Sequence, residues 1–167
     1  MFISIWRHGE AGRASSDRQR ELTSRGEQDI TLGAGKAATA YKLHGVAPPE
    51  LILFSPWLRT TQTARLIGTV FEKAKQQEEL ALRPGSSTSA VDRLLVNLQA
   101  AQLELAHVAL VSHQPLVSEL ARYYLGPDDQ PPSLVPGALC ACQFEVVAKL
   151  SGELVFWAAP PEYGVSR

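Results

Sequence analysis

The chain has 167 residues, enough to bury a real core, and residues 1–167 read as one domain. Hydrophobic residues at 45% and charged residues at 20% exclude a disordered chain. Sixteen basic side chains against seventeen acidic ones leave a net charge of −1. That balance excludes a general nucleic-acid footprint, so any anion recognition must come from a few placed cations.

Phe2-Ile3-Ser4-Ile5-Trp6 reads as a buried strand. Met1 leads straight into it, leaving no basic leader, and no apolar run approaches membrane-spanning length. The expectation is a cytoplasmic protein with no membrane association. The strand ends in Arg7-His8-Gly9-Glu10. Such an end delivers a cation and an imidazole to the carboxyl edge of a sheet, where open α/β folds bind ligands. An imidazole fixed beside a guanidinium is suited to attack or hold a phosphoryl group.

Residues 11–21 are small, polar and charged without periodicity, a loop leaving that strand end. Thr23 precedes a helix predicted to run to about His44, with Ile30, Ala34, Ala37, Ala38, Tyr41 and Leu43 on its apolar face. After a break at 45–49, Leu51-Ile52-Leu53-Phe54 forms a second buried strand. Ser55-Pro56 then reads as the cap and first turn of a helix carrying Leu58, Ala64, Ile67 and Phe71. Leu80-Ala81-Leu82 reads as a short strand. Residues 86–89 offer caps for a helix bearing Val91, Leu94, Leu95, Leu98 and Leu103.

Val108-Ala109-Leu110-Val111 is the third buried strand, ending in Ser112-His113 before a proline-initiated helix to about Leu125. Residues 126–136 connect it to a hairpin of 139–147 and 153–158. Cys140 and Cys142 fall on one side of the first hairpin strand, too close along it to form a disulfide, and read as buried thiols in a reducing compartment. Strands alternating with helices imply a three-layer α/β/α sandwich. Its central sheet is mainly parallel, with a C-terminal antiparallel hairpin.

Three buried strands thus end in polar signatures: Arg7-His8, Ser55 with Arg59 one turn later, and Ser112-His113. In a parallel sheet these ends share one edge. Two arginines and two histidines can then meet in a pocket suited to a dianionic phosphoryl group.

Arg7-His8-Gly9, the run Ser55-Pro56-Trp57-Leu58-Arg59-Thr60-Thr61-Gln62-Thr63, and Ser112-His113-Gln114-Pro115 resemble the histidine phosphatase superfamily. Leu22-Thr23 with Gly26, the short length and the form around His113 look most like its small SixA-like branch of protein phosphohistidine phosphatases. The resemblance implies a phosphoglycerate mutase-like fold and a hydrolase with no metal or organic cofactor. It casts His8 as a nucleophile that becomes transiently phosphorylated, and Arg7, Arg59 and His113 as a clamp on the phosphoryl oxygens. Arg20 and Ser55 are candidate substrate contacts.

Larger relatives place a general-acid glutamate near the position of Ala81. Here the candidates are Glu78 and Glu79 just upstream, and Asp17 on the first loop. A missing acid matters chemically, because an alkoxide leaves poorly unless protonated, whereas the imidazole of a phosphoramidate can leave neutral. The expected substrate is therefore a phosphohistidine on a protein partner such as a phosphotransfer domain, and phosphate or sulfate would fit the same site. The alternatives are a small-molecule phosphomonoesterase of the same superfamily and a phosphoryl-binding interaction module without turnover.

Overall fold

The structure, a computed structural model, describes residues 1–101 and 105–166. Its sheet has six strands: β1 (Phe2–Arg7), β2 (Leu51–Phe54), β3 (Lys75–Glu78), β4 (His107–Ser112), β5 (Leu139–Gln143) and β6 (Glu153–Ala158). They lie in the order β3-β2-β4-β1-β5-β6. The first four are parallel to one another, and β5 and β6 join antiparallel, as expected for the mixed sandwich.

Alternation along the buried strands feeds two cores. On one face Ile3, Ile5, Val108 and Leu110 pack with α3 (Thr88–Ala100) and α4 (Leu116–Tyr124) through Val91, Leu95, Val117 and Leu120. On the other, Trp6, Ala109 and Val111 meet α1 (Ser24–Leu43) and α2 (Leu58–Val70) through Ile30, Ala34, Ala37, Ala64 and Ile67. Strands buried on both faces need continuous apolar runs, which is why β1, β2 and β4 are legible in the sequence.

Thr23 caps α1 by accepting the Gly26 amide at 3.0 Å. Ser55 does not cap α2, which starts at Leu58 after Trp57 with no side-chain cap. The expected strand at Leu80–Leu82 is a 3-10 turn, and the strand lies earlier, at Lys75–Glu78. Those four residues are polar and exposed on an edge strand, so no apolar period marks them. Leu103 lies outside the described residues. Cys140 and Cys142 are buried free thiols in the same core. Among the described residues, no helix is long and apolar enough to cross a membrane.

Candidate active site

The carboxyl ends of β1 and β4 lie side by side at the sheet centre, with Arg7 opposite Ser112. From here the chain leaves β1 toward α1 on one face and β4 toward α4 on the other. A crevice at such a divergence is where open α/β sheets bind ligands. A cavity of about 350 Å³ opens there, lined by Arg7, His8, Glu10, Ala11, Asp17, Arg20, Arg59, Pro84, His113, Gln114 and Pro136.

Backbone bonds fix the floor. The His8 amide donates to Ser112 O at 3.0 Å, and Gly137 N donates to His8 O at 3.0 Å. The Gly9 amide donates to Thr63 Oγ1 at 3.2 Å, and Thr63 in turn donates to Arg59 O at 2.7 Å. Thr63 therefore ties the end of β1 to the helix that carries Arg59.

His8 is 8% exposed. Its Nδ1–H donates to its neighbour's carbonyl, Gly9 O, at 2.7 Å. That bond sets the tautomer and leaves the lone pair on Nε2, which accepts from Arg59 Nε at 3.0 Å. Burial pushes the His8 pKa down to about 4; the Gly9 bond opposes this, and the charges of Arg59, Arg7 and Arg20 add to it. The imidazole is thus neutral near pH 7.

His113, 3% exposed, stands edge-on to His8 with ring centroids 5.1 Å apart. Burial first, then the neighbouring His8 and Arg59, push its pKa down to about 3. Its Nε2 pairs with Ser55 Oγ at 2.9 Å, while its Nδ1 has no partner among the described residues. Arg7 donates through Nη1 to Leu134 O at 2.9 Å and keeps a buried, unpartnered Nε. Leaving buried polar groups unpaired is costly, so these atoms are matched to an acceptor such as a phosphoryl oxygen.

Arg59, 4% exposed, sits with its Cζ 4.8 Å from the Trp57 ring centre. The same indole meets His113 with ring centres 5.4 Å apart. Arg59 Nη1 donates to Asp17 O at 2.7 Å and Nη2 to Asp17 Oδ2 at 3.3 Å. Asp17 Oδ1 accepts from Arg20 at 3.0 Å. The Arg20 bond holds the Asp17 carboxyl below the usual carboxylate range; burial opposes it, and the charge and bond of Arg59 add to the lowering.

Arg7, His8, Arg59 and His113 are thus gathered in one cavity with Asp17 and Arg20. Arg20 also donates to Gly12 O and Ala11 O, bracing the loop. Ser55 is fully buried and does not line the cavity; its hydroxyl holds His113 instead. Glu78 and Glu79 also lie outside the lining. Glu78 ends the edge strand, and the Glu79 carboxylate accepts the Ala81 amide at 2.9 Å, satisfying the 3-10 turn. Glu10 lines the cavity from an exposed position and accepts from Thr23 Oγ1 at 2.9 Å.

Thr63 carries no role in the sequence reading although it falls in the quoted run, and Trp57, read as a core or pocket-wall residue, packs against Arg59 and His113. Only the fold shows which neighbours a threonine or an indole meets. Among the described residues, no group of three His, Cys, Asp or Glu side chains is placed to hold a metal ion.

No protein-family model and no curated protein matches the sequence. Solved structures do. The protein histidine phosphatase SixA, solved with tungstate, superposes with a TM-score of 0.77 at 27% identity, covering 96% of this chain and 97% of that one. A candidate phosphohistidine phosphatase SixA from Agrobacterium tumefaciens follows at 0.75 and 22%, covering 96% and 98%. A mycobacterial glucosyl-3-phosphoglycerate phosphatase, solved with VO3, shares the fold at 0.69 and 17%, covering 95% and 99%. The fold is the phosphoglycerate mutase-like one of the histidine phosphatase superfamily, and the likeness to SixA at 27% identity points to a phosphatase. Within it, the small SixA-like branch is the one this chain resembles, across nearly its whole length.

Proposed function

We propose that the protein removes phosphate from a phosphohistidine on a protein partner, with His8 as a covalent nucleophile. The observation that carries this reading is the state of the carboxylates. The one candidate acid that lines the cavity, Asp17, is held ionised by Arg20 and Arg59, while Glu78 and Glu79 are outside it. An ionised carboxylate has no proton to give an alkoxide. A phosphoramidate needs none, since its leaving imidazole departs neutral when the other ring nitrogen already carries a proton.

In the first step the Arg59 Nε–H turns from His8 Nε2 to a phosphoryl oxygen, the freed Nε2 lone pair attacks phosphorus, the bond from phosphorus to the substrate nitrogen breaks, and that nitrogen takes the electron pair. Arg7 Nε, Arg59 and His113 donate to the oxygens as charge shifts onto them. In the second step water attacks the phosphoryl group on His8, releasing phosphate and restoring the free imidazole. The Gly9 carbonyl keeps the Nδ1 proton in place throughout. The likeness to a SixA solved with tungstate, a tetrahedral oxyanion, supports a phosphoryl pocket of this kind.

The test is rapid acid–base quenching during turnover of a phosphohistidine peptide. Wild type should accumulate acid-labile, base-stable phosphate on the protein. His8→Ala should lose that signal and all turnover while remaining folded, since His8 contributes little to either core. Undiminished turnover by His8→Ala, or no turnover of phosphohistidine by wild type, would overturn the reading.

A further inference from the structure

The bonds around Asp17 join two places in the site. Its Oδ2 sits 3.3 Å from Arg59 Nη2, on the guanidinium whose Nε meets His8 Nε2. Its Oδ1 sits 3.0 Å from Arg20 Nη1. The side chain is nevertheless 53% exposed, at the mouth of the cavity rather than on its floor. Each carboxylate oxygen offers two lone pairs, and each arginine bond uses one. Asp17 therefore keeps spare acceptor capacity on a side chain that lines the cavity and is open to solvent.

In-line attack fixes where a leaving group must be. His8 Nε2 comes from the buried floor, so the departing group extends the opposite way, toward the mouth. A leaving imidazole held there carries an N–H on its far nitrogen and a positive charge that vanishes as the bond to phosphorus breaks. We propose that Asp17 is a specificity-determining residue that accepts this N–H, selecting substrates whose leaving group is an imidazolium. This inference rests on the phosphohistidine reading and names the group that reads the leaving side of the substrate.

The role is the reverse of general acid. A carboxylate beside the leaving ring favours its protonated form, and a protonated ring is the better leaving group. As the bond breaks, the electron pair neutralises the ring, the proton stays on the far nitrogen, and Asp17 remains ionised. No proton passes to or from Asp17. Its two arginine partners keep it charged for that duty, and the same bonds would spoil it as a proton donor. An alkyl phosphate presents no N–H at that place and gains nothing.

The experiment compares wild type, Asp17→Asn and Asp17→Glu on a phosphohistidine peptide, on p-nitrophenyl phosphate and on glycerol phosphate. Loss of an Arg59 partner affects all three substrates alike, so the ratio of kcat/KM values isolates the leaving-group effect. Asp17→Asn should lower the ratio of phosphohistidine to p-nitrophenyl phosphate by about tenfold or more, the scale of a charged contact to a reacting group. The alkaline limb of the phosphohistidine profile, where the substrate ring loses its single N–H proton, should move to lower pH. Asp17→Glu should recover part of both. An unchanged ratio, or a loss greatest on glycerol phosphate, would overturn the proposal, the second result making Asp17 a general acid. If wild type turns over only the two esters, the phosphohistidine reading itself has failed, and this is visible before any variant is made.

Discussion

One hydrogen bond, from His8 Nδ1 to Gly9 O, decides which ring nitrogen of the proposed nucleophile is free. The motif Arg7-His8-Gly9 shows in the sequence that an imidazole and a cation reach the sheet edge. It cannot show which ring nitrogen is free, because that depends on a carbonyl direction set by the turn. Ser55 illustrates the same limit. Its place before a proline reads as a helix cap, yet its hydroxyl is taken by His113, a residue distant in the chain. Two outcomes follow at this scale. Catalysis needs neutral His8, whose pKa burial pushes down to about 4, so kcat/KM should hold through pH 6 and fall only as pH drops toward 4. A pH profile corrected for the substrate's own ionisation checks this, and an acid limb near 6.5 would contradict it. Arg59→Lys should lower kcat by about a hundredfold, since an ammonium lacks the planar fork that can hold the Asp17 loop and meet phosphoryl oxygens together. Steady-state kinetics with the fold monitored by circular dichroism reads that loss.

At the scale of elements, β1, β2, β4 and the four helices are legible because each buries an apolar run or stripe. The polar edge strand β3 is not, and the 3-10 turn at Leu80–Leu82 mimics a strand because three apolar letters cannot define a period. How the elements lock together is also hidden. α1 packs so closely on the end of β1 that a Cβ at Gly26 would collide with the Glu10 carbonyl. α2 is joined to the same turn by Thr63, which bonds the Gly9 amide. Thr63→Val keeps the shape and removes that acceptor, leaving a buried amide unpaired. It should cost roughly 1–3 kcal/mol of stability. It should also lower kcat more than it raises KM, because it frees the His8 turn from the Arg59 helix. Denaturant melts and kinetics of the one variant test both parts, and a fall in stability with no change in kcat would show that the tie is structural alone.

For the molecule as a whole, three of the four histidines are buried and neutral. His107 belongs to a network far from the cavity, its Nδ1 donating to Ala47 O at 2.7 Å and its Nε2 meeting Ser4 Oγ, which also meets Tyr41 OH. Burial pushes His107 down to about 4, alongside His8 at about 4 and His113 at about 3. All three lie below the unfolded value of 6.5, so the unfolded chain binds more protons between the two. Stability is therefore complete above pH 6.5 and is lost as pH falls from there toward 4. His107 alone accounts for roughly 3 kcal/mol of that loss if its shift is fully expressed. Urea melts across this range should show a steep fall, and His107→Gln should make it shallower while lowering stability at neutral pH. A flat profile between pH 6.5 and 4 would rule the account out.

The pairing of β1 with β4 and β5 has a consequence for synthesis. Phe2 lies against His107 on one side and Gln143 on the other, so β1 can find neither neighbour until more than a hundred further residues have been made. Until then an apolar ribbon that ends in the proposed nucleophile waits without those partners. No truncated chain ending before β4 can own a phosphoryl pocket, and such fragments should be sticky rather than partly active. The birth of the nucleophile and the birth of its enzyme are separated in time, and chaperone demand should fall in that interval.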